Sequence, residues 1–238
     1  VGKKIYDALT QDTNSRWAIG TVRNFASAQG QSVDYVLRFP RQVVETAMLP
    51  WELLWDQDGA LLLSRGQQAS LVRYLDLDYA PPPSKKPDRR LRLLALAPKA
   101  DMDDAESDQE QPVWQSAWSD LEKAGLVTLE TLSPVTTATL VDKIQSGPPI
   151  DVLHFYGHGR YRNGQGALLL DGSGGGKTWV NAERLAVLLA GHVHLVVLHA
   201  CQSAMTEETG LLTGTAHKLA AEGIPAVVAM QFTVRISA

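Results

Sequence analysis

Cys201 is the one cysteine among 238 residues. An internal disulfide is therefore impossible, which excludes the disulfide-stapled secreted scaffolds and suits a reducing compartment, with the cytoplasm as the default expectation. Long apolar runs are missing too. None approaches the ~20 residues that a bilayer span needs, and no signal peptide opens the chain, so no membrane contact is expected. Basic excess is also absent: 22 Lys and Arg against 26 Asp and Glu give a formal net charge of −4. Direct nucleic-acid binding would call for basic clusters, and is not expected. No helical repeat recurs along the chain. Its start at Val1, without a methionine, leads us to expect that the amino terminus is a boundary made by cutting or by choice.

What the chain does have is a hydrophobic fraction of 45%, ordinary for a globular protein and enough for a sizeable core. Two apolar runs of strand length dominate it. Asp151-Val152-Leu153-His154-Phe155-Tyr156 stops at Gly157-His158-Gly159, and Leu195-Val196-Val197-Leu198-His199-Ala200 stops at Cys201-Gln202-Ser203. A short apolar run ending abruptly at small or polar residues is the pattern of a buried parallel strand, and open α/β sheets build their sites at the carboxyl ends of such strands. A lone Cys with a His elsewhere in an intracellular enzyme is a candidate nucleophile. His158 and Cys201 are 43 positions apart, room for one intervening helix.

The amino-terminal part is read as a smaller lobe, residues 1–87, rich in strands and hairpins. Helical segments are expected at Lys3 to Leu9 and Ser15 to Ala28. Alternation of Val33, Tyr35, Leu37 and Phe39 with Asp34, Val36 and Arg38 predicts a half-buried strand that Pro40 stops. Pro50 suits the first turn of a helix in which Trp51, Leu54 and Trp55 share one core-packed face. Ala60 to Leu63 and Ser70 to Leu77 read as two more strands. Ala80 to Pro87, with four prolines, is the clearest linker.

Residues 88–238 then alternate. Leu91 to Leu96 is a strand, Pro112 to Ala124 an amphipathic helix ended by Gly125, and Leu126 to Leu132 a strand. Thr136 to Gln145 is a helix feeding the His158 strand, and Asn181 caps a helix over Ala182 to Ala190 before the Cys201 strand. Glu208 to Ala221 is a helix and Ala226 to Met230 the last strand. Right-handed crossovers turn this βα alternation into a parallel sheet with helices on both faces. In the flavodoxin-like order 2-1-3-4-5 the third and fourth strands are neighbours about 5 Å apart, which makes His158 and Cys201 a spatial pair.

The Tyr156-Gly157-His158-Gly159 and Leu198-His199-Ala200-Cys201-Gln202-Ser203 blocks resemble the two signatures of CHAT-domain cysteine peptidases, relatives of the caspases in clan CD. Leu49 to Leu54 with Asp58-Gly59 and Ser70 to Arg73 resembles that family's amino-terminal half, and Gly223 to Gln231 its last parallel strand. The resemblance implies a caspase-like three-layer α/β/α sandwich with a mainly parallel sheet, preceded by the smaller lobe. It also implies a segment beyond Ala238, where the family continues into another helix and a tail. The activity it implies is endopeptidase cleavage of a protein or peptide by a Cys201–His158 dyad with no cofactor. The N–H groups of Gly159 and Cys201 would form the oxyanion hole. A regulatory protein partner, or a fused helical-repeat segment, is implied in the same way. So is a substrate pocket built from Lys99 to Asp104, His199 and Gln231 to Val234, where Asp101 and Asp103 would favour a basic residue before the cut bond.

Three rival readings of the same residues exist. A catalytically silent caspase-like module used for protein binding would carry the same blocks. A zinc site could draw on His154, His158, His192, His194, His199 and Cys201, but no carboxylate or second cysteine recurs at ligand spacing, and no metal is expected. Gly172 to Thr178 resembles a phosphate-binding loop, but Asp171 stands where its first glycine should be, and Thr178-Trp179-Val180 favours strand over helix. A hairpin tip joining Leu168 to Leu170 with Thr178 to Val180 is the better account.

Overall fold

A strand whose residues are buried on both faces belongs in the middle of a sheet, and the computed structural model puts the apolar runs there. It describes residues 1–40, 43–47, 49–56, 59–60, 69–76, 88–99, 115–162, 165–200 and 211–229. The chain divides into two units, Val1–Asp78 and Tyr79–Ala238.

The second unit holds a five-stranded sheet. Its strands are β5 (Leu91–Leu96), β6 (Val127–Leu132), β7 (Ile150–Gly157), β11 (Val193–Ala200) and β12 (Ala226–Ala229), and its order is β12-β11-β7-β5-β6. Every pairing in it is parallel. Read by chain position, that is the expected 2-1-3-4-5. Burial follows position: β7 is buried along nearly its whole length, whereas β12 at the edge alternates exposed and half-buried. Helices α5 (Thr137–Gln145), α6 (Ala182–Leu189) and α7 (Leu211–Ala221) bring Leu140, Ile144, Leu185, Leu189 and Leu219 to one large core with Leu94, Leu153, Phe155, Val196 and Leu198. The other face carries Leu93, Ala95, Val152 and Tyr156, with Trp118 of α4 (residues 115–123) packed against them. This is the three-layer α/β/α arrangement.

Local chemistry sets the ends of these elements. The Thr136 and Thr139 hydroxyls form a reciprocal capping box that starts α5, and the Asn181 side chain accepts the Arg184 N–H to start α6. At the start of β7 the buried Asp151 carboxylate accepts two hydrogen bonds from the Arg89 guanidinium, at 2.6 and 3.2 Å, and the Arg92 N–H at 2.7 Å. That bridge pins the start of β7 to the start of β5.

Between β7 and α6 the chain adds a second sheet: β8 (Gly159–Arg162), β9 (Gln165–Asp171) and β10 (Lys177–Asn181), antiparallel in the order β10-β9-β8. Leu170 pairs with Thr178 and Leu168 with Val180, the expected hairpin, and its tip turns through Gly174 and Gly175 at φ 93° and 90°. Lys177 begins a strand and not a helix, so the phosphate-loop reading has no structural support.

The first unit contains α1 (Gly2–Leu9), α2 (Thr13–Ala28), β1 (Val33–Pro40), α3 (Val44–Ala47), β2 (Trp55–Asp56), β3 (Gly59–Ala60) and β4 (Ala69–Asp76). Its two long strands, β1 and β4, pair parallel, and among the described residues only β2 with β3 makes a hairpin. Alternation in β1 indicates which face that strand buries, not which way its partner runs. The helix expected after Pro50 is a single 3-10 turn, Trp51–Leu53. Trp51 and Leu54 are buried, but the chain straightens at Leu54 and Trp55, in β2, is 54% exposed. Trp55 is therefore not part of that core-facing group.

Candidate active site

Residues two apart on a strand share a face, and on β7 this sets His154 and Tyr156 towards one side of the sheet. His158 itself is the half-buried residue between β7 and β8. The parallel register with β11 places His199 beside Tyr156 and Ala200 beside Gly157. Gly157 and Ala200 are the residues that precede His158 and Cys201 in the sequence. Cys201 lies outside the described residues, as do Asp101, Asp103 and Gln231 of the expected pocket.

Of the other members of that pocket, Lys99 is exposed and His199 is half-buried. Its ring meets the Tyr156 ring edge-on, with centroids 5.1 Å apart, and lies 6.1 Å from the ring of His154. His154 is 3% exposed, and its Nδ1 accepts the Trp118 Nε1–H at 3.0 Å. An indole nitrogen only donates, so His154 Nδ1 must be unprotonated and the neutral ring carries its proton on Nε2. Burial, helped by the neighbouring His199, pushes the His154 pKa down to about 4. His154 is thus a neutral residue of this sheet face, between Trp118 and His199. Nothing in the sequence had indicated Trp118 as its partner, since a helix residue and a strand residue 36 positions apart show no shared period.

Gly159 begins β8 opposite Leu168, and the Leu169 N–H donates to the His158 carbonyl at 2.9 Å. Antiparallel pairs alternate between hydrogen-bonded and non-hydrogen-bonded. With His158 and Leu169 a bonded pair, Gly159 falls at a non-bonded one, and its N–H is directed away from β9. Gly159 is buried, and as a glycine it sets no side chain beside that N–H.

The histidines of the metal reading do not form one group, although His154 and His199 are neighbours. His192 and His194 sit at the amino end of β11, where His194 Nδ1 is 4.0 Å from the Asp151 carboxylate. His199 is near the carboxyl end, about 16 Å further at the rise of an extended strand. Among the described residues no three His, Cys, Asp or Glu side chains are grouped to hold a metal ion.

The description of one protein family, the CHAT domain, matches this chain over residues 1–238. No curated protein matches it.

Proposed function

Since the chain belongs to the CHAT domain family, which is related to the caspase-like clan CD peptidases, we propose that it is a cysteine endopeptidase working through His158 and Cys201. The observation that carries this is the parallel β7–β11 register, with Gly157 beside Ala200. Two adjacent strands thus end together, each one residue before its functional side chain in sequence, His158 and Cys201. The outward Gly159 N–H supplies a donor next to that imidazole.

In this reading His158 takes the thiol proton and the Cys201 sulfur attacks the scissile carbonyl carbon, forming a C–S bond as the carbonyl electron pair moves to oxygen. The N–H groups of Gly159 and Cys201 hold that oxyanion. Its collapse breaks the C–N bond while His158 delivers the proton to the leaving amine. Water then attacks the thioester with His158 as base, releasing the acid and restoring the thiol. His154, neutral and hydrogen-bonded to Trp118, adds no competing positive charge to this sheet face at neutral pH.

The test is cleavage of a quenched-fluorescent peptide library by the wild-type chain, Cys201→Ala and His158→Ala. Either substitution should lower kcat by about 10³-fold or more, with circular dichroism and thermal midpoint unchanged. Cleavage that survives Cys201→Ala overturns the proposal. A wild-type chain that cleaves nothing favours a silent binding module.

A further inference from the structure

A helix on a protein surface normally turns its apolar residues to the core and its charges to water. α2 does the reverse. Its only charged residues, Arg16 and Arg23, are two turns apart and share the side on which Ile19 packs against the core of Tyr6, Phe39 and Trp51 and on which Ala26 is buried. Arg16 reaches Asp7 of α1 at 3.9 Å. On the opposite side Asn14, Trp17, Thr21, Phe25 and Ala28 recur at steps of three and four residues, all exposed, with Trp17 at 70% and Phe25 at 63%. Ala18 and Val22, also exposed, widen that side.

A contiguous apolar patch on an otherwise polar surface marks a contact surface, and the pattern of this one indicates what covers it. The face is symmetric about Thr21. Aromatic rings stand four residues to either side, at Trp17 and Phe25, and smaller residues seven to either side, at Asn14 and Ala28. A two-fold axis at Thr21 therefore lays Trp17 of one copy over Phe25 of the other, and the small threonines let the helices close to about 8–10 Å. Because the face carries no charge, a copy meets no like charge across it. The antiparallel arrangement also sets opposite ends of the two helix dipoles together. Rings of this size, about two-thirds exposed, leave roughly 300 Å² open in each copy. With the smaller residues the pair would bury about 1,000 Å² in all, the lower limit for a specific interface and the size of a reversible one.

We propose that two copies of the chain pair in solution through α2, antiparallel about Thr21. The pairing draws on the first unit alone and does not depend on the peptidase reading.

Sedimentation equilibrium from about 1 to about 300 μM should show the average mass rising from one chain towards two, with a Kd of roughly 10–100 μM. Trp17→Glu and Phe25→Glu should each raise that Kd by about 10-fold or more. Trp55→Glu, at a tryptophan 54% exposed but outside α2, should leave it unchanged. Both α2 rings lie in water in the single chain, so the thermal midpoint of either glutamate variant at about 1 μM should match the wild type. Should those variants fail to fold, crosslinking decides. With Cys201, the one native thiol, replaced by alanine, Thr21→Cys should close a disulfide between copies on mild oxidation. Asn14→Cys should crosslink to Ala28→Cys in a mixture of the two, and not to another copy of itself. A chain that stays single at about 300 μM, a dimer indifferent to both glutamates, or Asn14→Cys that crosslinks to itself overturns the inference.

Discussion

Replacing His154 by glutamine should flatten the acid side of the protein's stability curve. In the folded chain the imidazole is 3% exposed, accepts the Trp118 N–H at Nδ1, and has its pKa held at about 4 against an ordinary 6.5, chiefly by burial and then by His199. Protonation would put a charge in the sheet face and turn the acceptor nitrogen into a second donor aimed at the indole. Between pH 6.5 and about 4 the unfolded chain binds a proton here that the folded chain refuses. The unfolded state then holds more protons, so stability rises with pH in that window and falls as the solution is acidified. The difference between 6.5 and about 4 corresponds to roughly 3 kcal/mol, a large share of the 5–15 kcal/mol typical of a folded domain. Glutamine can still accept from Trp118 and does not titrate, and His199 and Tyr156 face the position in both proteins. Urea unfolding followed by tryptophan fluorescence at pH 8, 6.5, 5 and 4 gives the comparison. The wild type should lose roughly 3 kcal/mol more than His154→Gln between pH 8 and pH 4. Parallel curves would refute the assignment of a buried, neutral His154.

Two further substitutions test how the sheet around the site is held. Asp151→Ala leaves the half-buried Arg92 N–H without its acceptor and the Arg89 guanidinium without its carboxylate, and should cost about 2–4 kcal/mol in urea unfolding at neutral pH. Gly166→Ala puts a methyl against the Thr215 side chain and within 3.0 Å of the Thr215 backbone nitrogen. Backbone cannot swing aside, so a loss of about 1–3 kcal/mol is expected, read as a lower thermal midpoint. An unchanged midpoint would mean that α7 packs less closely on β9 than described.

The central sheet was legible because each strand announces itself. Leu91–Leu96, Ile150–Gly157 and Val193–Ala200 are apolar runs too short for helices, and the segments between them carry clear helix starts at Thr136 and Asn181. Connection rules then left few orders for five parallel strands, and the expected one is observed. The hairpin at Gly172–Gly176 was readable from turn glycines followed by β-favouring residues. Partnership across long distances was not. Periodicity shows the buried face of Val33–Pro40 but is silent on its parallel pairing with Ala69–Asp76. The Trp118–His154 hydrogen bond likewise depends on how α4 lies over the sheet. Trp55 leaves the core-facing group for a local reason. Residues at helical spacing share a face only while the helix continues, and this one ends at Leu53. The interval between His158 and Cys201 reads as a hairpin and a helix, yet it also holds β8, whose four residues Gly159–Arg162 carry no apolar alternation to announce a strand.

The most direct measurement of the dyad is the rate of Cys201 alkylation by iodoacetamide as a function of pH, in the wild type and in His158→Ala. It needs no substrate, and Cys201 is the one thiol to label. With His158 beside it, the thiol should react as a thiolate well below the ordinary pKa of about 8.5. His158→Ala should return the profile to that value and slow the reaction at pH 6 by about 10-fold or more. Profiles that coincide in the two proteins would contradict the pairing of His158 with Cys201.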